Sequence, residues 1–148
     1  MAHPREFHTC EYTDARDDRF LPLVEVSIFS GGSKRKITAW ADTGCEPDLV
    51  ISKSLLQSAK LDLTNKINKN PQLDRTADGR EVSVDIYEAI CEVGGEKQTI
   101  HIHVMDTSNP YDNDGTTMTP LLGLGFFNAY DVLFKGTHRE LLFCHPKE

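Results

Sequence analysis

The chain has 148 residues, 39% of them hydrophobic, and 23 acids against 16 Lys and Arg give a net charge of −7. That length suits one soluble globular domain, and the absence of an apolar run of membrane-spanning length argues against a bilayer partner. The acidic balance argues against nucleic acid, because phosphate backbones call for a concentrated basic surface.

Met1 to Arg19 carries mixed charge and little periodicity, so residues 1–19 read as an N-terminal, flexible arm and 20–148 as the domain. In "LPLVEVSIF" Val24, Val26 and Ile28 alternate with Glu25 and Ser27, the period of a half-buried strand. Gly31-Gly32 turns the chain, and Lys34-Arg35-Lys36 beyond it reads as a solvated hairpin face. Ile37, Ala39 and Ala41 then form a second strand that delivers Asp42 at its end. "LVI" is a short apolar strand, and Ser52 is a candidate N-cap for a helix through Leu55, Leu56 and Ala59.

Lys60 to Pro71 is polar and loop-like. "QLDRTADGREVSVDIYEAICEV" predicts a long hairpin tipped by Ala77-Asp78-Gly79, since Asp-Gly between strand-prone runs is a strong turn signal. Gly94-Gly95 turns the chain into "QTIHIHVM", and Ser108 to Thr119 reads as a surface loop. "PLLGLGFFNAYDVLF" predicts a strand broken by Gly123 and Gly125, a helical turn near Phe126 to Ala129, and another strand; "RELLFC" supplies the last. Many short strands with one or two short helices indicate a mainly antiparallel β domain, closed or folded over as a barrel.

The four cysteines lie far apart with no C-x-x-C pair, and "MAHPREFHTC" lacks an apolar signal-peptide core. A reducing, cytoplasmic setting is the expectation, with a core built from ordinary packing. Chemistry concentrates in "KITAWADTGCEPDLVIS". An Asp between Trp40-Ala41 and Leu49-Val50-Ile51 is expected in a largely buried place, where an ionised carboxylate is costly unless partners hold it. Such an acid either shapes a turn or serves as a catalyst.

Context narrows that choice, because "WADTGCEPDLVIS", "RTADGREV" and "TPLLGLGFFNAYDVLF" occur in this order. From about Leu23 to Phe134 the chain resembles the retropepsin-like aspartic proteases, and prokaryotic members more than viral ones. The resemblance implies a retropepsin-like barrel with one lobe per chain, acting as an aspartic endopeptidase on polypeptide substrates. It assigns Asp42, Thr43 and Gly44 to the catalytic loop, Ala77, Asp78 and Gly79 to a substrate-covering flap, and Glu46 to a position beside substrate.

The chemistry behind the motif needs two acids. One carboxylate takes a proton from water while a protonated partner donates to the peptide carbonyl, and two carboxylates about 3 Å apart share that one proton. The chain has a single such loop. Asp106 in "MDTSN" is the other candidate, and it is set aside because a two-lobed enzyme repeats the whole lobe. The resemblance therefore implies a homodimer with Asp42 from each chain, and no cofactor. The viral members' Arg after the late Gly is Leu124 here, so Glu46 lacks that cation and an apolar dimer contact is expected. The alternative is a retropepsin fold without cleavage, serving only for dimerisation or peptide binding.

His101 and His103 share a strand face in the i, i+2 relation that zinc sites use, but no third ligand has a recognisable spacing, and no metal is expected. Cys45, beside the acid, has no local His partner, so packing is its expected role, and Trp40 is expected to pack beneath the loop.

Overall fold

The computed structural model describes residues 5–11, 13–15, 19–70, 72–75, 79, 81–106 and 120–146, those up to residue 21 by backbone alone. The described chain is mainly β with two short helices. Strand β4 (Leu23–Ser30) and β5 (Ser33–Ala41) form an antiparallel hairpin, joined through Gly31 and Gly32 at φ of 56° and 80°. Two consecutive positive φ values give the turn a twist that matches the strands, and glycine reaches them without strain.

The main sheet adds β6 (Leu49–Ser52), β7 (Gln72–Arg75), β8 (Glu81–Val93), β9 (Glu96–Met105) and β10 (Leu121–Leu122), in the order β4-β5-β10-β6-β9-β8-β7. Strand β4 also pairs with β8, through Ser27↔Glu92, Ile28↔Cys91 and Phe29↔Ile90. That extra pairing closes β4-β5-β10-β6-β9-β8 into a ring, which explains a departure from simple alternation. Ser27 and Ser30 are buried along with Val24, Val26 and Ile28, because the far half of β4 has neighbours on both edges. The pairings are mainly antiparallel, as expected, with two exceptions: β10 runs parallel to β5, and β6 parallel to β9.

Inside the ring, Ile28, Ile51, Ile100, Ile102 and Leu122 are fully buried. Helix α1 (Lys53–Ser58) starts where the sequence placed its cap, with Ser52 Oγ accepting the Leu55 N–H at 3.1 Å. This bond also satisfies a hydroxyl that β6 would otherwise bury unpaired. The polar stretch after α1 is not detached loop. Asn65, Ile67 and the Asn68 side chain bond to β8 along the edge that lies between its β7 and β4 pairings.

Helix α2 (Leu124–Phe127) leads to β11 (Asp131–Lys135) and β12 (Glu140–His145). Its Phe126 and Phe127 are buried against Phe143 of β12, with ring centroids 6.0 and 6.1 Å apart. Part of the stretch read as an N-terminal arm, residues 1–19, pairs with the domain. Arg5–Glu11 forms β1, antiparallel to β12 from Arg5↔His145 to Glu11↔Glu140, in a sheet of order β1-β12-β11. Thr13–Ala15 (β2) and Arg19–Leu21 (β3) make a small hairpin. The ordering partner of β1 sits at the other end of the chain, so local periodicity carries no trace of it. Among the described residues, no helix is long and apolar enough to cross a membrane.

Candidate active site

Strand β5 ends at Ala41, β6 begins at Leu49, and the Asp-Thr-Gly loop spans the gap between them. The two strands are not direct neighbours. Two-residue β10 lies between them, with Leu122 paired to Ala41 on one side and Leu49 on the other. Its insertion brings backbone groups to the loop from below. Asp42 N–H donates to Leu122 O at 2.9 Å, and three successive N–H groups then donate back: Gly123 to Asp48 O at 3.0 Å, Leu124 to Cys45 O at 2.7 Å, and Gly125 to Glu46 O at 3.0 Å. These bonds of the clamp are all made by main chain.

Close approach explains both late glycines. A Cβ on Gly123 would lie 2.5 Å from Cys45 O and 2.9 Å from Cys45 Sγ and would press on Pro47 O; one on Gly125 would strike the Asp48 carboxylate. Asp48 was not singled out in the sequence, yet it secures the loop's other flank. Its Oδ2 accepts the His101 N–H of β9 at 2.8 Å. The only signal was an acid directly before an all-apolar strand, a place where a carboxylate needs a donor.

Within the loop, Asp42 is half-buried, and Thr43 and Gly44 are exposed. Asp42 Oδ1 accepts the Gly44 N–H at 2.9 Å, and Asp42 O accepts the Cys45 N–H at 3.1 Å. Gly44 needs no left-handed backbone; its advantage is space, since a Cβ there would stand 3.2 Å from Asp42 Oδ1. Among the described residues, neither Asp42 Oδ2 nor the Thr43 hydroxyl has a hydrogen-bond partner. Among the described residues the loop thus offers one carboxylate oxygen and one hydroxyl that no other group holds.

Cys45 is buried, as expected of a packing residue. Burial, with Asp42 and Glu46 adding negative potential, pushes its thiol from 9.0 up to about 11. A thiol that stays protonated at neutral pH is a poor nucleophile. Native protein at pH 8 is therefore expected to resist iodoacetamide at Cys45, and mass mapping after a timed pulse checks it. Cys91 is likewise raised, to about 12, chiefly by burial. Both folded values exceed the unfolded one, so the stability these thiols contribute is full below pH 9 and is lost as pH rises towards 11 to 12.

Glu46 is exposed, makes no ion pair among the described residues, and takes part in the loop through its carbonyl. Asp106 belongs elsewhere. β9 runs parallel to β6 with Met105 opposite Ser52, so Asp106 follows the end of β6 away from the loop, where its N–H donates to Ser83 O. Trp40 is half-buried in β5, two residues before Asp42.

The β7–β8 hairpin is present, with Arg75 opposite Glu81, and exposed Gly79 at its tip has φ of 87°. Ala77 and Asp78 lie outside the described residues. His101 and His103 share a face of β9, but each meets an acid and not another metal ligand set: His101 Nε2 is 3.6 Å from Glu88 and His103 Nδ1 is 3.3 Å from Asp74. Among the described residues, no group of three His, Cys, Asp or Glu is placed to share a metal ion. No family model matches the chain, and no curated protein matches it either.

Proposed function

We propose that the chain is a retropepsin-like aspartic endopeptidase whose dyad is assembled from Asp42 of two copies. The observation that carries this reading is the clamped loop: an inserted strand and three consecutive N–H groups hold Asp42 so that one carboxylate oxygen is tied to Gly44 and the other is left open. Catalysis of this kind depends on fixing the reacting groups before substrate arrives, and main-chain bonds do that with little freedom lost later. The free Thr43 hydroxyl suits a contact with the opposite loop. Water held between the two carboxyls gives up a proton to one and attacks the peptide carbon while the other donates to the carbonyl oxygen.

A second reading rests on the same bond. Asp42 Oδ1 to the Gly44 N–H is the two-residue link of an Asx turn, which a non-catalytic dimerisation or peptide-binding module would also contain. Cleavage of a peptide library separates the two. Under the protease reading, a transition-state mimic of aspartic proteases abolishes cleavage, chelators and thiol reagents do not, and activity per chain falls on dilution with little dependence on moderate salt. Full activity from a species that sediments as a monomer overturns the shared dyad.

The hairpin tip provides an independent check of the flap assignment. A Cβ on Gly79 meets none of the described atoms within 4 Å, so Gly79→Val is expected to strain the backbone, at a cost of about 1–2 kcal/mol. If the tip closes over substrate, kcat/KM is expected to fall about a hundredfold, more than the about 1–2 kcal/mol that urea unfolding then reads. Activity that falls no further than stability places the flap elsewhere.

A further inference from the structure

The shared-dyad reading needs a surface on which two copies meet, and we infer that this surface is the outer edge of β11, paired antiparallel with itself about Leu133. The inference rests on the proposed protease function only in that the dyad requires two chains; the edge is argued from its own residues. In the order β1-β12-β11, β11 is the terminal strand, and among the described residues nothing pairs with its outer side. Unprotected strand edges recruit other strands unless charge, a bulge or a cover prevents it.

β11 combines that edge with apolar surface. Leu133 is 53% exposed and Phe134 36%, the latter resting edge-on against Phe127 of α2 at 6.2 Å. α2 in turn begins on the loop, where the Leu124 N–H bonds Cys45 O, and Leu124 is itself 37% exposed. β11 is therefore joined through residues 128–130 and α2 to the main-chain bond between Leu124 and Cys45 of the loop.

The charges commit the edge to a second copy and to one register. Along β11 the order is Asp131-Val132-Leu133-Phe134-Lys135. Antiparallel self-pairing centred on Leu133 sets Asp131 opposite the partner's Lys135 and Lys135 opposite the partner's Asp131, on the same face as the two leucines. Val132 then meets Phe134 across the two-fold. Shifting the centre by one residue along the strand to Val132 or Phe134 breaks both charge pairs, and neither Asp131 nor Lys135 has an ion-pair partner among the described residues. This is the self-complementarity that a two-fold interface requires. Exposed pairs contribute little to affinity, so they select register while Leu133 and its neighbours supply the attraction.

The test reads assembly without reading cleavage. Directly opposed residues on antiparallel strands have Cα atoms about 4.5–5.5 Å apart, inside the span a disulfide bridges. Leu133→Cys is expected to give a cross-linked dimer under mild oxidation, and the parent chain, which keeps half-buried Cys144, is the control. In parallel, Asp131→Lys and Lys135→Asp are each expected to weaken dimerisation by about tenfold or more in sedimentation at low salt, and an equimolar mixture of the two is expected to restore it, because every cross-strand pair is again opposite in sign. A parent dimer with no Leu133→Cys cross-link, or a mixture as weak as its components, overturns the β11 interface and leaves the protease reading standing. Cross-linking and charge rescue in a protein with no aspartic-protease cleavage leave the interface standing and remove that reading.

Discussion

Asp42→Asn is expected to abolish peptide-bond cleavage, by at least about a thousandfold in kcat/KM, while the fold persists within about 0.5 kcal/mol. The substitution is chosen because asparagine keeps the structural half of the residue. Its side-chain carbonyl can still accept the Gly44 N–H now bonded at 2.9 Å, and the main-chain bonds to Leu122 and Cys45 do not involve the side chain. What it removes is the proton-accepting oxygen. A residue whose whole role is the Asx turn tolerates that change, whereas a catalytic acid does not, so in a protein that cleaves peptide this variant tells a catalytic Asp42 from a turn former. Asp42→Ala provides the complementary case: it loses the turn bond as well, at about 1 kcal/mol of stability. Circular dichroism and urea unfolding, run beside a cleavage assay, separate the two effects. Cleavage that survives in purified Asp42→Asn ends the aspartic-protease proposal.

What the sequence made legible follows the range of the forces involved. The Gly31-Gly32 hairpin, the Ser52 cap and the Gly79 hairpin tip depend on residues a few positions apart, and each is found where the pattern put it. Strands whose order comes from distant partners carry no such local sign. Arg5–Glu11 carries no clear alternation of its own and takes its register from β12, and the burial of Ser27 follows from β8 closing the ring. The site divides in the same way. Asp42, Thr43 and Gly44 stand together in the chain, so their loop could be identified, and the burial of Cys45 follows from the apolar setting. The grip of Asp48 on His101, across 53 residues of sequence, could not be read, because the acid's partner is a backbone N–H that any residue on β9 could supply.

Gly123→Ala is expected to be the most damaging single-methyl change in the described structure, lowering stability by about 3 kcal/mol or more. The reason is space and not backbone freedom, for Gly123 has φ of −116° and ψ of −172°, extended values open to any residue. An added methyl meets Pro47 O, Cys45 O and Cys45 Sγ together, and two of those three are backbone atoms that a rotamer change cannot move. Relief requires the 123–125 segment to back away from the loop. That movement stretches the bonds from Gly123 to Asp48 O and from Leu124 to Cys45 O. Each buried main-chain bond left unmade adds about 1–3 kcal/mol. Gly136→Ala is the matched control, since a Cβ there meets none of the described atoms within 4 Å and its backbone lies outside the left-handed region. With urea slopes of about 1–3 kcal/mol per molar, Gly123→Ala is expected to lower the midpoint by one molar or more and Gly136→Ala to leave it unmoved. Since the same movement displaces the Asp42 loop, any Gly123→Ala protein that still folds is expected to lose cleavage as well. A variant with parental stability and parental activity shows that the loop does not depend on contact with the inserted strand, and removes the support on which the catalytic reading rests.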